Sequence, residues 1–198
     1  MTDMFANTEK IVLASGSPRR QSYLTDMGLS FRVVPASIEE KCAFGEDHVH
    51  YIRRLAQEKA LCVAARYPDC WIVAADTVVC LDALLLEKPV DKEDAVQMLM
   101  SLSGREHVVR TALCLYNRDH SVLEIFSVNT RVVFWNFSTD IANAYVDTGE
   151  PMDKAGSYGV QGKGAFLVRE IHGSYSNVVG LPLCEFIGVL KKHNLISK

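Results

Sequence analysis

Five consecutive apolar residues, Trp71-Ile72-Val73-Ala74-Ala75, are followed at once by Asp76-Thr77. A strand with one solvated face alternates apolar and polar residues, whereas a run without alternation is expected of a central strand buried on both faces. Such a strand requires neighbours in a sheet and helices to cover it. The run is expected to end at Asp76-Thr77, with a further strand continuing over 78–81, a turn at Asp82-Ala83 and a return through Leu84–Leu86. Ile11-Val12-Leu13-Ala14 is a second short apolar run. It turns on Ser15-Gly16-Ser17, and Pro18 suits the first turn of a helix, where its missing N–H is not needed. That helix is expected over 20–27, closed by Gly28. His48 to Arg66 reads as another helix, because Val49, Ile52, Leu55, Ala56, Ala60 and Val63 fall on one face. Further helices are expected over 92–101, over 139–147 after a Ser138 cap, and over 182–192. Phe31–Val34 reads as a strand ended by Pro35. Residues 106–116 and 121–135 are rich in β-branched residues and form a hairpin around Asn117–His120. A last strand is expected over 165–170, followed by a polar turn over 172–177. The pattern is that of an α/β protein with a largely central sheet.

With 198 residues the chain is expected to form one domain, with two small lobes as the alternative, and its 48% hydrophobic content is ordinary globular material and not disordered. The net charge of −3 gives no global attraction to nucleic acid, so a polyanion would have to find a local basic pocket. No apolar run approaches the length of a membrane span, and Met1–Lys10 shows no apolar core of a signal peptide. The six cysteines include no C-x-x-C pair, which argues against a zinc or redox site and for a reducing, cytoplasmic setting.

The first strand, its polar turn and the helix after it form a natural anion site, since unpaired N–H groups and the helix dipole converge there. Ser15 and Ser17 add hydroxyls to it, and Arg19 and Arg20 add guanidiniums shaped to grip phosphate oxygens. The competing reading is a serine-capped helix with two solvated arginines. Neither a Walker A loop nor G-x-G-x-x-G is present. Asp76 is the sharpest single residue: a carboxylate where a buried strand emerges, at the edge where ligands gather in open α/β sheets. Glu39-Glu40 follows another strand, and carboxylates from separate strand ends can hold a divalent ion that bridges phosphates. Lys59, in a helical context, reads most simply as a surface lysine. Lys88 in Glu87-Lys88-Pro89 is restrained by its proline. The stretch from Glu150 to Gly162 is too glycine-rich and too specific in its polar content for a plain connector. Within it Gln161 can both donate and accept, as the edge of a nucleobase requires. His107 and His172 read as structural.

Taken together, Ser15-Gly16-Ser17-Pro18-Arg19-Arg20, Ala75-Asp76-Thr77-Val78, Glu87-Lys88-Pro89, Ser103-Gly104 with His107 and Thr111, Asp153-Lys154-Ala155-Gly156-Ser157-Tyr158-Gly159-Val160-Gln161-Gly162, and Gly173 through Pro182 resemble the Maf family in content and order. The resemblance covers nearly the whole chain and implies a single Maf-like domain over 8–196. It implies an elongated α/β fold, a two-lobed mixed sheet with flanking helices around a central cleft, similar to inosine triphosphate pyrophosphatases and often a homodimer. It implies metal-dependent hydrolysis of a nucleoside triphosphate to the monophosphate and pyrophosphate. Under it Asp76 is the general base, and Glu40, Lys59 and Lys88 are the other active-site charges. Arg20 belongs to the phosphate turn, and a divalent ion, Mg²⁺ or Mn²⁺, is held by Glu40 and Asp76. The family often has Asp-x-Asp-Glu where this chain has Ser37-Ile38-Glu39-Glu40. Arg19, Thr77 and Gln161 resemble the branch acting on dTTP and UTP. The branch acting on 7-methyl-GTP carries a Trp after the proline and a Glu in place of the late Gln, a pairing suited to a cationic purine. A non-catalytic regulator of septum formation is the reading from a different class. A nucleotide or nucleic-acid binding module is a further one, opposed by the retained Asp76, Glu40 and lysines and by the net acidity.

Overall fold

A computed structural model describes residues 4–198 as a mixed α/β protein. In chain order the elements are β1 (Ala6–Asn7), β2 (Ile11–Leu13), α1 (Pro18–Asp26), β3 (Phe31–Val33), α2 (His48–Ala64), β4 (Trp71–Leu81), β5 (Leu84–Leu86), α3 (Lys92–Leu102), β6 (Glu106–Asn117), β7 (Val122–Phe134), α4 (Thr139–Val146), β8 (Val168–His172), α5 (Tyr175–Val179), α6 (Leu183–Lys192) and β9 (Ile196–Ser197). Three short 3₁₀ segments, Glu150–Asp153, Ala155–Ser157 and Gly162–Leu167, lie between α4 and β8. The main sheet has seven strands in the order β3-β2-β4-β6-β7-β8, with β5 paired to β4. It is mixed: β2 runs parallel to both β3 and β4, while the β4–β5 and β7–β8 pairs are antiparallel. Among the described residues no helix is long and apolar enough to cross a membrane.

The chain divides into two compact units. The first comprises the chain up to Asp76 with Thr111–Val128 and Gly180–Lys198; the second comprises Thr77–Arg110 and Asn129–Val179. In the first unit the alternate residues Ile11, Leu13, Trp71, Val73, Leu113 and Leu115 form one core with Leu24 of α1 and Phe186 and Leu190 of α6. Their sequence neighbours Val12, Ile72 and Ala74 are just as buried, so the sheet is covered on both faces, as the unbroken apolar run of β4 requires. In the second unit Ala95, Leu99 and Leu102 of α3 and Ala142, Tyr145 and Val146 of α4 pack on Val79, Leu81, Val109, Val132 and Phe134.

Helix α2 starts where the side chain of Asp47 accepts the N–H groups of Val49 and His50, an N-cap that satisfies two of the first turn's orphan donors. The β6–β7 hairpin closes around residues 118–121, where Asn117 accepts the N–H of His120 through its side chain. Three local expectations need correction. The strand that starts at Trp71 does not stop at Asp76 but continues without a break to Leu81. Ser138 precedes α4 yet makes no side-chain cap. Residues 175–177, expected as the end of a polar turn over 172–177, instead begin the short helix α5, and its Asn177 is fully buried, donating to Val109 O and Thr130 Oγ1.

Candidate active site

The site begins where β2 stops accompanying β4. Strand β2 pairs with Trp71–Val73, and one further bond joins Ala14 N–H to Val73 O. Strand β5 pairs with Val79–Leu81. Asp76 falls between these two registers, beyond the carboxyl end of β2. Its mid-strand position thus still satisfies the rule that ligands collect past the ends of parallel strands.

Asp76 is only 6% exposed. A buried carboxylate needs a partner, and Lys59 supplies it: Nζ lies 2.5 Å from Asp76 Oδ1 and 2.8 Å from Glu40 Oε1. The Lys59 side chain is 12% exposed. It is therefore not the surface lysine that its helical context predicts, but an ammonium held between two carboxylates from different parts of the chain. Burial pushes the Asp76 carboxyl above the usual range, and the Glu40 charge adds to this, against the pull of Lys59 and Arg20. Burial likewise draws the Arg20 guanidinium down, with Asp76 and Glu40 opposing it.

Arg20 is fixed by the polar turn. Its Nε donates to Gly180 O at 2.8 Å and its Nη1 to Ser15 Oγ at 3.0 Å; Ser15 Oγ also accepts the Ser17 N–H at 3.2 Å. Ser15 is buried at the end of β2. Ser17 occupies the N-cap position of α1 without a side-chain cap, so the capped-helix reading of this turn fails in its detail. Arg19 follows on the first turn of α1, partly buried. The structure thus joins Glu40, Lys59 and Asp76 in direct contact and holds Arg20, fixed by Ser15, near enough to act electrostatically on Asp76 and Glu40. Glu39 is not among them: its side chain is paired with Lys41 in solvent.

Thr77, Lys88 and Gln161 belong to the second unit. Thr77 is partly buried in β4, and Lys88 and Gln161 are exposed on loops. One contact ties those loops together and a second sets the later one against β4. Gly156 N–H donates to Glu87 O at 3.1 Å, and Gly156, at φ +67°, lies where a Cβ would meet the Val79 side chain at 2.9 Å. Only glycine combines that backbone with that approach. His107, read as structural, is buried, shares a 2.8 Å hydrogen bond with Tyr158 Oη, and is held down to a pKa of about 4 by burial.

Among the described residues no cluster of three or more His, Cys, Asp or Glu side chains could hold a metal alone. Glu40 and Asp76, both on Lys59, form a two-carboxylate set. That set fits an ion such as Mg²⁺, which takes one or two protein carboxylates and completes its shell with phosphate and water oxygens.

Two charged groups with organising contacts, one in each unit, were missed in the sequence. Arg54 donates to both oxygens of Glu46 at 2.8 and 2.7 Å, to Glu58 at 3.1 Å and to Lys41 O at 3.0 Å, so it fastens the segment after Glu40 to α2. The i,i+4 spacing of Arg54 and Glu58 is a visible signal, but the Glu46 contact crosses a loop and is not. Glu150 was read only as the start of the glycine-rich stretch, and its carboxylate proves to organise that stretch.

The family described as "Maf-like protein" matches residues 10–193. A relative from Desulfotalea psychrophila, named dTTP/UTP pyrophosphatase, is 47% identical over 98% of this chain and 100% of its own length. Relatives of the same name from Myxococcus xanthus and Bacillus velezensis are 47% and 42% identical, over 97% and 95% of this chain and 96% and 98% of theirs. The solved Ham1 protein of Staphylococcus aureus superposes with a TM-score of 0.46 at 13% identity over 64% of this chain and 72% of its own, too loosely to add to the strand order above. By the family match over nearly all its length and by these full-length relatives, the chain belongs to the Maf-like protein family.

Proposed function

We propose that this chain is a nucleoside triphosphate pyrophosphatase that hydrolyses dTTP and UTP to the monophosphate and pyrophosphate. The name shared by relatives that match end to end supports the substrate class. The observation that carries the chemistry is the buried Asp76 carboxylate on Lys59 Nζ, beside the arginine of the polar turn.

In this reading Asp76 accepts a proton from the water that attacks the α-phosphorus. The P–O bond to the β-phosphate breaks, and pyrophosphate leaves. A base is most effective when its pKa approaches the working pH, so the upward push of burial on Asp76 suits the task. Lys59 keeps the Asp76 carboxylate in register and offsets the repulsion between Asp76 and Glu40. Arg20, oriented by Ser15 and Gly180, is assigned to phosphate charge, and the family resemblance assigns Lys88 to the active-site charges. Catalysis rests mainly on positioned charge. Glu40 and Asp76 are the side chains that would hold Mg²⁺ or Mn²⁺. When bound, such an ion would supply positive charge against the phosphate charge that the attacking oxygen must approach. Arg19, Thr77 and Gln161 are assigned to the nucleotide, with Gln161 matching the carbonyl and N–H edge of uracil or thymine. The six cysteines, none in a C-x-x-C pair, fit a reducing compartment such as the cytoplasm.

The test is to incubate the protein with UTP, dTTP, CTP and 7-methyl-GTP, with Mg²⁺ or Mn²⁺, and to measure pyrophosphate and orthophosphate separately. Pyrophosphate from UTP and dTTP is expected. Orthophosphate with a nucleoside diphosphate as the main products would refute the reading.

A further inference from the structure

The loop that carries Gln161 has no strand or α-helix of its own between α4 and β8. Its backbone is nonetheless held at defined points on both sides of Gln161, and both lead to one carboxylate. Glu150 Oε2 accepts the Lys163 N–H at 2.9 Å, and Oε1 accepts the Gly164 N–H at 2.9 Å. Oε1 also accepts the Tyr145 hydroxyl at 3.0 Å, and that hydroxyl oxygen in turn accepts the Gly159 N–H at 3.1 Å. Gln161 is thus bracketed: Gly159 before it is tied through Tyr145, and Lys163 and Gly164 after it are tied directly. Gly162 has φ +81°, and a Cβ there would stand 2.9 Å from Glu150 Oε2. The backbone can close on the carboxylate only because that residue is glycine. Lys154 Nζ secures the other end of Glu150 by donating to its carbonyl oxygen.

We propose that Glu150, acting with Tyr145, is the positioning pair that presents Gln161 to the base, and so sets the preference for uracil and thymine. This rests on the assignment of Gln161 to base recognition above. Both oxygens of Glu150 face donors: two backbone N–H groups and one O–H. Only an ionised carboxylate accepts at every one of these positions. A glutamine in its place must turn an NH₂ group toward an N–H, which releases one side of the bracket. Tyr145 is buried with its ring edge-on to Phe166, so phenylalanine can keep the packing and remove only the hydroxyl.

The measurement is kcat and KM on UTP and on CTP for the parent and for Glu150→Gln, Tyr145→Phe and Gln161→Ala. All three variants are expected to lower the UTP-over-CTP ratio of kcat/KM by about fivefold or more, the scale of one mispaired buried group. In Glu150→Gln and Tyr145→Phe the loss on UTP should fall mainly on KM, because weakened base contact is lost binding and not lost chemistry. A general structural defect would instead lower kcat on both nucleotides alike. If Gln161→Ala collapses the ratio while Glu150→Gln and Tyr145→Phe keep it, the positioning role is overturned and the base assignment stands. If Gln161→Ala keeps the ratio, the base assignment itself falls, and the positioning role with it. Should Glu150→Gln fail to fold, Tyr145→Phe decides.

Discussion

Asp76 and Gln161 are held in opposite ways. Asp76 sits inside a strand, almost without solvent, and its surroundings are charged: Lys59 at 2.5 Å, Glu40 on the same ammonium, and Arg20 near enough to act on its pKa. Gln161 lies on an exposed loop, and what fixes it is backbone N–H groups gathered on the Glu150 carboxylate. One region is organised by charge around a buried carboxylate and a largely buried ammonium, where an orphaned ion is costly. The other is organised by chain shape, with glycines where side chains would collide. The contrast matches the two tasks assigned to them. Displacing an oxygen at a charged phosphorus needs fixed charges, whereas reading a neutral pyrimidine edge needs an amide at a fixed place.

The contrast can be broken most severely at Asp76. Asp76→Asn should fold and lose about two to four powers of ten in kcat, the range for loss of a general base; a folded variant with near-normal turnover would remove Asp76 from the chemistry. Lys59→Met should come next. It strands a buried carboxylate, so stability at neutral pH should fall by about 3 kcal/mol in denaturant titration. It also removes the cation that favours ionised Asp76, so the Asp76 pKa should rise further. Since the base works only when ionised, the acid limb of the kcat/KM profile should move to higher pH; an unmoved limb would dissociate Lys59 from Asp76 ionisation.

Gln161→Glu tests the neutral region. A carboxylate would accept the pyrimidine N–H but repel the flanking carbonyls. Hydrolysis of UTP and dTTP should therefore drop by roughly 5- to 150-fold in kcat/KM, as for one mispaired buried group. Equal losses on CTP and 7-methyl-GTP would mean that Gln161 braces its loop and does not read the base. The smallest effect is expected at Glu46. Its pKa is held down from an ordinary 4.5 to about 2, first by its hydrogen bonds to Arg54 and then by the Ala43 N–H. A depressed carboxyl stabilises the fold above its unfolded pKa and loses that contribution as pH falls through the folded one. The stability gap between parent and Glu46→Gln should thus be fully present above about pH 4.5 and shrink toward pH 2. A gap that stays constant across that window would show that the Glu46 charge is not what fastens the segment after Glu40.

Periodicity made much of this fold legible. The face of α2, the two-sided burial of β4 and the β6–β7 hairpin all follow from local apolar spacing and turn chemistry. What was not legible depended on distant partners. Asp76 looked like the end of a strand because a carboxylate rarely continues one, and it is Lys59, 17 residues earlier, with help from Arg20, that makes the continuation tolerable. Lys59 itself looked solvated, since nothing in Glu58-Lys59-Ala60 shows which residue its turn of helix will face. Residues 172–177 looked like a turn because of their Gly, Ser and Asn residues, yet helix α5 begins within them, and the buried bonds of Asn177 to Val109 and Thr130 hold it. Glu150 could be quoted as part of a motif but not given a role, because its acceptors meet backbone groups 13 and 14 residues away.

The central claim is that a water activated by Asp76 attacks the α-phosphorus. Hydrolysis of UTP in ¹⁸O-labelled water, with mass spectrometry of both products, tests it directly. The label is expected in UMP, with unlabelled pyrophosphate. Label in the pyrophosphate and none in UMP would place the attack on the β-phosphorus and contradict the claim.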